Sequence, residues 1–107
     1  MYIMSKHLLH DRADRRHNIT KYFGMGKPII YVHEKTACRA LTDTGIMLVL
    51  SNDKQVLITY YVATRSQAIN VWRSAYGENK CLPQWLYNKI MNNQKKIDEL
   101  KEQGITI

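Results

Sequence analysis

The sequence predicts an α+β domain: two short helices, then a four-stranded antiparallel β-meander, then two further helices. Between residues 28 and 63, four runs rich in β-branched and aromatic residues are separated by Asn, Asp, Ser and Gly. Apolar residues at helical spacing flank these runs on both sides. A chain of 107 residues is the size of one domain, 1–107, with a helix-and-sheet core over 5–63 and a helical extension over 66–104.

Short connections define the predicted sheet. Its four strands are Pro28–Lys35, Thr36–Asp43, Gly45–Ser51 and Lys54–Ala63. Because these connections are too short for a crossover, neighbouring strands are expected to be antiparallel. Asn52 and Asp53 are predicted to form the last turn, since short Asx side chains tolerate positive φ. The last two strands are almost continuously apolar, which predicts that they lie centrally in the sheet.

Capping residues mark the predicted helices before the sheet. Ser5 is a candidate N-cap for a first helix over Lys6–Arg16. Asn18 is a candidate N-cap for a second helix, which Gly24 ends.

The two helices after the sheet are delimited in the same way. Ser66 is predicted to cap a helix that ends at Gly77, and the longest helix covers Pro83–Gln103. Three aromatic residues at helical spacing are predicted to belong to the core: Trp72, Tyr76 and Trp85.

The charge balance favours polyanionic partners. The formal net charge is +7 and the pI is about 9.5. Residues 1–76 hold eleven Lys/Arg against five Asp/Glu, so they carry +6 of this net charge. Such a basic domain favours nucleic acid first and an anionic membrane second. The alternative is that the charge serves solubility alone.

Several classes are disfavoured. No apolar run is long enough for a transmembrane helix, and the amino terminus lacks a signal-peptide pattern, so a cytoplasmic location is expected. Cys38 and Cys81 are far apart and form no CxxC motif. Two buried, reduced thiols are therefore predicted, with neither a disulfide nor a metal site. No cofactor is expected.

The polar side chains of the first helix suggest phosphodiester chemistry. Histidine as a residue type titrates near neutrality, and this segment carries His7 and His10 with the cations Arg12 and Arg16 close by. RNA cleavage without metal needs a base, an acid and a cation, which this set supplies. Thr59 and Tyr60 on the last strand are the candidate supporting groups. A solvated surface helix is the alternative.

A further set of cations is predicted to contact nucleic acid. The alternative for those on the first helix is pairing with Asp11 and Asp14, which contributes little to stability. The predicted nucleic-acid-binding residues are Arg15, Lys21, Lys27, Arg39 and Arg65.

The order of these features resembles a known group. A His- and Arg-bearing segment, HLLHDRADRRHNI, precedes ITKYFGMGKPI and then GIMLVLSNDKQVLITYY. This pattern resembles the barnase/EndoU/colicin/RelE-like small ribonuclease superfamily over residues 5–63. The resemblance implies that His7 or His10 acts as general base or acid, and that Arg12 or Arg16 binds the scissile phosphate. Thr59 with Tyr60 would complete the site.

Three functions follow as hypotheses. The first is a metal-independent ribonuclease domain, of phage or mobile-element origin, such as a toxin with a protein antidote. The second is a nucleic-acid-binding module without activity, for RNA rather than DNA. The third is a protein-interaction module that blocks a host factor through its last helix. None of them requires a membrane.

Overall fold

The computed structural model describes residues 3–4 and 13–107, with side chains from residue 15 onward. The α+β class, the four antiparallel strands and the two C-terminal helices are confirmed. The elements are β1 (Ile3–Met4), α1 (Ala13–Phe23), β2 (Pro28–His33), β3 (Cys38–Thr42), β4 (Ile46–Leu50), β5 (Val56–Val62), α2 (Arg65–Tyr76) and α3 (Gln84–Glu102).

The sheet has five described strands in the order β1-β5-β4-β3-β2. Strands β2 to β5 form the predicted meander, and β4 lies at the centre. The strand β1 was not predicted: it pairs in parallel with β5, with Ile3 opposite Val56 and Met4 opposite Leu57. A strand of two residues is too short for a periodic pattern, so only its tertiary pairing defines it.

The N-terminal helices differ from the prediction. One helix, α1, runs without interruption through the position where Asn18 was expected to cap a second helix. The Asn18 side chain instead donates a hydrogen bond from Nδ2 to the carbonyl of Thr106 at 2.8 Å. Ile19 and Phe23, one turn apart, are buried against the sheet and hold α1 there. The remainder of the predicted first helix, over 6–12, lies outside the described residues, as does its predicted cap Ser5.

Helices cover both faces of the sheet. On one, here called the α1 face, Ile19 of α1 packs with Leu48 and Tyr60. On the other, here called the α2 face, Ala68 and Val71 of α2 belong to a separate buried cluster. Because neighbouring residues of a strand point to opposite faces, each central strand contributes to both clusters.

The helix α3 contributes to both faces. Leu86 and Ile90 in its first half are buried on the α2 face, whereas Leu100 in its second half is buried on the α1 face. Between them Asn93, only 3% exposed, donates from Nδ2 to the carbonyl of Thr44 in the β3–β4 turn at 2.8 Å. The helix therefore passes the end of the sheet, and a buried amide holds it there. We call this contact the Asn93 crossing.

Two polar details near the strand ends were predicted incorrectly. The N-cap of α2 is Thr64, not Ser66. The Thr64 hydroxyl accepts a hydrogen bond from the Gln67 amide at 3.2 Å, and the Gln67 side chain accepts one from the Thr64 amide at 2.8 Å. This reciprocal arrangement is a capping box. It satisfies the backbone amides of Thr64 and Gln67 at the start of the helix.

The β4–β5 turn also differs. Lys54, with φ of 63°, takes the positive φ expected of Asn52 or Asp53. Asp53 instead accepts hydrogen bonds at Oδ1 from the Ser51 hydroxyl and the Gln55 amide, at 2.5 and 3.0 Å. Both bonds lower the pKa of the Asp53 carboxyl, and the bond from Ser51 has the larger effect. The Asx side chain therefore stabilises the turn through hydrogen bonds rather than through its backbone conformation.

Two predicted core aromatics are exposed. Trp85 and Tyr76 are each 53% exposed, and Trp72 is half-buried with its ring centroid 4.7 Å from that of Tyr76. Trp85 immediately precedes the buried Leu86, and adjacent residues of a helix point about 100° apart. The core-facing stripe of α3 therefore excludes the tryptophan.

The cysteines are both free, but only one is buried. Cys38 lies in β3, where burial raises the pKa of its thiol. Cys81 is exposed in the connection between α2 and α3, so the prediction of two buried thiols was wrong for this residue. An α2–α3 connection that runs over the surface explains the exposure.

Candidate nucleic-acid interface

The contact between α1 and β5 brings together two of the predicted site residues, Tyr60 and the backbone of Arg16. Tyr60 is 5% exposed, and its hydroxyl lies 3.3 Å from the carbonyl of Arg16 and 3.2 Å from the Thr20 hydroxyl. The Thr20 hydroxyl is itself 3.1 Å from that carbonyl. Both hydroxyls lie within donating distance of the Arg16 carbonyl, which has two lone pairs and can accept a hydrogen bond from each. Tyr60 therefore fixes α1 on the strand.

Replacing Tyr60 by Phe is expected to lower the free energy of unfolding by about 1 kcal/mol, because the buried contact with α1 loses a hydrogen-bonding group. Denaturant unfolding measures this loss. Tyr61→Phe is the matched control: this half-buried tyrosine packs on the α2 face and should change stability by only a few tenths of a kcal/mol. Equal losses in the two variants would show that the Tyr60 hydroxyl does not hold α1.

Thr59 lies on the other face of the sheet. It pairs with Val49, Val49 pairs with Arg39, and this half-buried row points to the α2 face. Thr59 and Arg39 are thus separated by two strand spacings, about 10 Å. Arg39 forms an ion pair from Nε to Glu34 at 2.9 Å. The predicted pair of Thr59 and Tyr60 is therefore divided between two faces, and only Tyr60 contacts α1.

Three predicted cations belong to α1. Arg15 and Arg16 are half-buried, and Lys21 is exposed with its ammonium 5.2 Å from the centroid of the Tyr22 ring. The other two predicted binding residues lie elsewhere. Lys27 is exposed in the α1–β2 loop, and Arg65 is the exposed first residue of α2.

Sequence reasoning missed two cations of α3 on the α1 face. The Lys96 ammonium donates to the carbonyl of Tyr22 at 2.5 Å and lies 5.3 Å from the centroid of the Phe23 ring. A cation at the last turn of α1 also interacts favourably with the helix dipole. Lys101, five residues further along α3, lies near Arg15 of α1. Their positions depend on how α3 crosses the sheet, which the local pattern does not encode.

The principal catalytic candidates His7, His10 and Arg12 lie outside the described residues. The elements on either side of them are described. Met4 pairs with β5, and Ala13 begins the helix that packs on β5. Segment 5–12 is therefore joined at both ends to elements in contact with the strand that carries Tyr60.

The other two histidines are exposed. His17 lies on α1, and His33 ends β2 at the opposite edge of the sheet. Within residues 13–107 and the short β1 strand, no three His, Cys, Asp or Glu side chains are grouped to hold a metal ion. None of the described helices is long and apolar enough to cross a membrane. Comparison with known proteins finds no matching family model, curated protein or solved structure.

Proposed function

We propose that the chain is a small ribonuclease-like domain that cleaves RNA without a metal ion. One observation carries this proposal: the segment with His7 and His10 is connected on both sides to elements that contact β5. The helix that follows this segment carries the basic side chains of Arg15, Arg16 and Lys21. The resemblance of residues 5–63 to small ribonucleases supports the same function.

The proposed reaction needs only groups that this segment and the start of α1 carry. One histidine takes the proton of a ribose 2′-hydroxyl, and the 2′-oxygen attacks the adjacent phosphorus. The bond from phosphorus to the 5′-oxygen breaks, and the second histidine gives that oxygen a proton. Arg12 or Arg16 neutralises the charge that develops on the phosphate oxygens. The products are a 2′,3′-cyclic phosphate and a 5′-hydroxyl.

The experiment incubates the chain with an RNA oligonucleotide in EDTA and identifies the ends of the products. Cleavage with a cyclic phosphate on one fragment is the expected result. The same oligonucleotide with a single 2′-deoxyribose at the cleaved position is the control, and it should stay intact there. Intact RNA, or cleavage at the deoxy position, contradicts the proposal.

The second candidate is RNA binding without cleavage. The observation that favours it is the set of cations on the α1 face, with Arg15 and Lys21 on α1 and Lys96 on α3. Counterion release predicts that log K falls linearly with log salt concentration, by about 0.7 for each phosphate contacted on a single strand. Salt-dependent binding to RNA that remains intact would favour this candidate over the first.

The proposal includes the cellular setting. A nuclease toxin of phage or mobile-element origin acts in the cytoplasm and needs a protein antidote, and a host factor is the alternative partner. Exposed Trp85 on α3 is the kind of side chain that protein interfaces use, since aromatic residues are enriched there.

A further inference from the structure

A small cavity opens where α1, the end of β5 and the second half of α3 meet. Its volume is about 170 Å³. It differs in character from the buried clusters, because cationic and polar groups line it together with apolar ones. Its lining includes Arg15, Val62, Thr64, Gln94, Ile97 and Lys101.

Arg15 brings an unsatisfied donor to this cavity. Its Nε is buried and has no hydrogen-bond partner among the described residues. Leaving a buried donor without an acceptor costs about 1–3 kcal/mol, and more for a charged group. Proteins rarely retain such a group unless something else satisfies it. The Arg15 side chain therefore lines this cavity with one donor still unsatisfied.

Lys101 adds a second cation to the same cavity. Gln94, Ile97 and Lys101 lie three and four residues apart, so they share one face of α3. No Asp or Glu among the described residues lines the cavity. The acidic residues of this part of α3, Asp98, Glu99 and Glu102, are exposed and do not line the cavity, although Asp98 is three residues from Lys101. Two cations thus converge on a cavity that Ile107, the last residue of the sequence, also lines.

The two polar side chains of the lining, Thr64 and Gln94, each have a proton available to donate to a ligand. The Thr64 hydroxyl accepts a hydrogen bond from the Gln67 amide, which leaves its own proton available to donate. Gln94 uses one Nε2 proton for the carbonyl of Ala63 at 3.0 Å, and it has a second. The four groups are therefore donors, and they fit a ligand that offers several anionic oxygen atoms.

We propose that this cavity binds a phosphate group of RNA, an inference that rests on the proposed function for the identity of the ligand. The size of the cavity limits the ligand. A water needs about 10–15 Å³, whereas pockets for whole drug-sized molecules are usually above about 300 Å³. At about 170 Å³, the cavity is large enough for one phosphoryl group. Arginine suits such a group because its planar fork matches phosphate geometry.

The first experiment uses inorganic phosphate and does not depend on RNA cleavage. The Arg15 Nε–Hε signal is followed by NMR while phosphate replaces chloride at constant ionic strength, up to roughly 50 mM, which detects millimolar affinity. We expect the signal to shift with saturation. Lys101→Gln should weaken binding about tenfold. Lys95→Gln removes an exposed cation of the same helix outside the cavity lining, and it should change binding less than about twofold.

The second experiment distinguishes internal phosphates from terminal ones. Oligoribonucleotides with and without a 5′-phosphate are titrated against the wild type and Lys101→Gln. Equal losses of affinity for both RNAs indicate a backbone phosphate, as proposed. A loss confined to the 5′-phosphorylated RNA would assign the cavity to a terminal phosphate and overturn the backbone assignment.

The proposal for the cavity and the proposal for catalysis can fail separately. An unmoved Arg15 signal, or identical phosphate affinities for Lys101→Gln and Lys95→Gln, would overturn the phosphate site even if RNA is cleaved. A shifted signal in a protein that leaves RNA intact would refute catalysis and support the site. Lys101 is exposed, so its replacement should leave the fold unchanged.

Discussion

Gly45→Ala is expected to lower the free energy of unfolding by about 3 kcal/mol. Gly45 has φ of +83°, a conformation that costs an L-residue about 1–2 kcal/mol. A Cβ there would also lie 2.6 Å from Asn93 Nδ2. Since Asn93 is buried and donates to Thr44, relieving this overlap must displace the hydrogen bond of the Asn93 crossing, at a further cost of about 1–3 kcal/mol. Denaturant unfolding measures the sum.

Gly104→Ala separates the two contributions. Gly104 has almost the same φ, +80°, but a Cβ there would meet nothing within 4 Å. Its replacement should therefore cost only the conformational part, about 1 kcal/mol. If both variants lose the same stability, the close approach of Gly45 to Asn93 is not energetically important. A loss in Gly45→Ala that Asn93→Ala partly relieves, in a double-mutant cycle, would identify the overlap as the cause.

Replacing His7 and His10 together by Ala is expected to reduce RNA cleavage by about 10²–10⁴-fold, the range for loss of general acid–base catalysis. The initial rate of cleavage of an oligonucleotide in EDTA measures the effect. His17→Ala/His33→Ala removes the same number of imidazoles from exposed positions of α1 and β2. This control should retain the wild-type rate within about twofold, because surface substitutions away from a site have small effects.

Two further measurements make the histidine result interpretable. Circular dichroism and thermal unfolding of both double variants should match the wild type, so that a lost rate is not a lost fold. Affinity for a non-cleavable RNA with 2′-deoxyribose should change little, because the arginines and lysines provide the electrostatic binding. A rate that survives in His7→Ala/His10→Ala would remove these residues from the mechanism.

The local sequence pattern was sufficient to predict most of the sheet. The meander strands follow from runs of β-branched residues and short turns, and both signals are contained in a few neighbouring residues. The alternation of strand side chains also predicts that Thr59 and Tyr60 point to opposite faces, as the register with β4 shows. What local pattern does not give is which element covers each face. The contact of Tyr60 with α1 therefore had to come from the structure.

The prediction failed where tertiary contacts decide. The strand β1 depends on its pairing with β5, and the uninterrupted α1 depends on Ile19 and Phe23 packing across the expected break at Asn18. Trp85 was assigned to the core by hydrophobicity, although Leu86 beside it faces the sheet. Lys101 was overlooked as well. A mixed-charge helix pattern does not predict that this lysine lies near Arg15, which is distant in the sequence.

The path of α3 means that the chain should melt as one cooperative unit. Leu86 and Leu100 belong to the buried clusters on opposite faces of the sheet. Deleting residues 83–107 therefore removes buried side chains from both clusters. A fragment over residues 5–63 would then expose apolar surface on both sides of the sheet and be prone to aggregate. Partner mapping by truncation would be misled by such a fragment, and single replacements of exposed side chains such as Trp85 are the sounder approach.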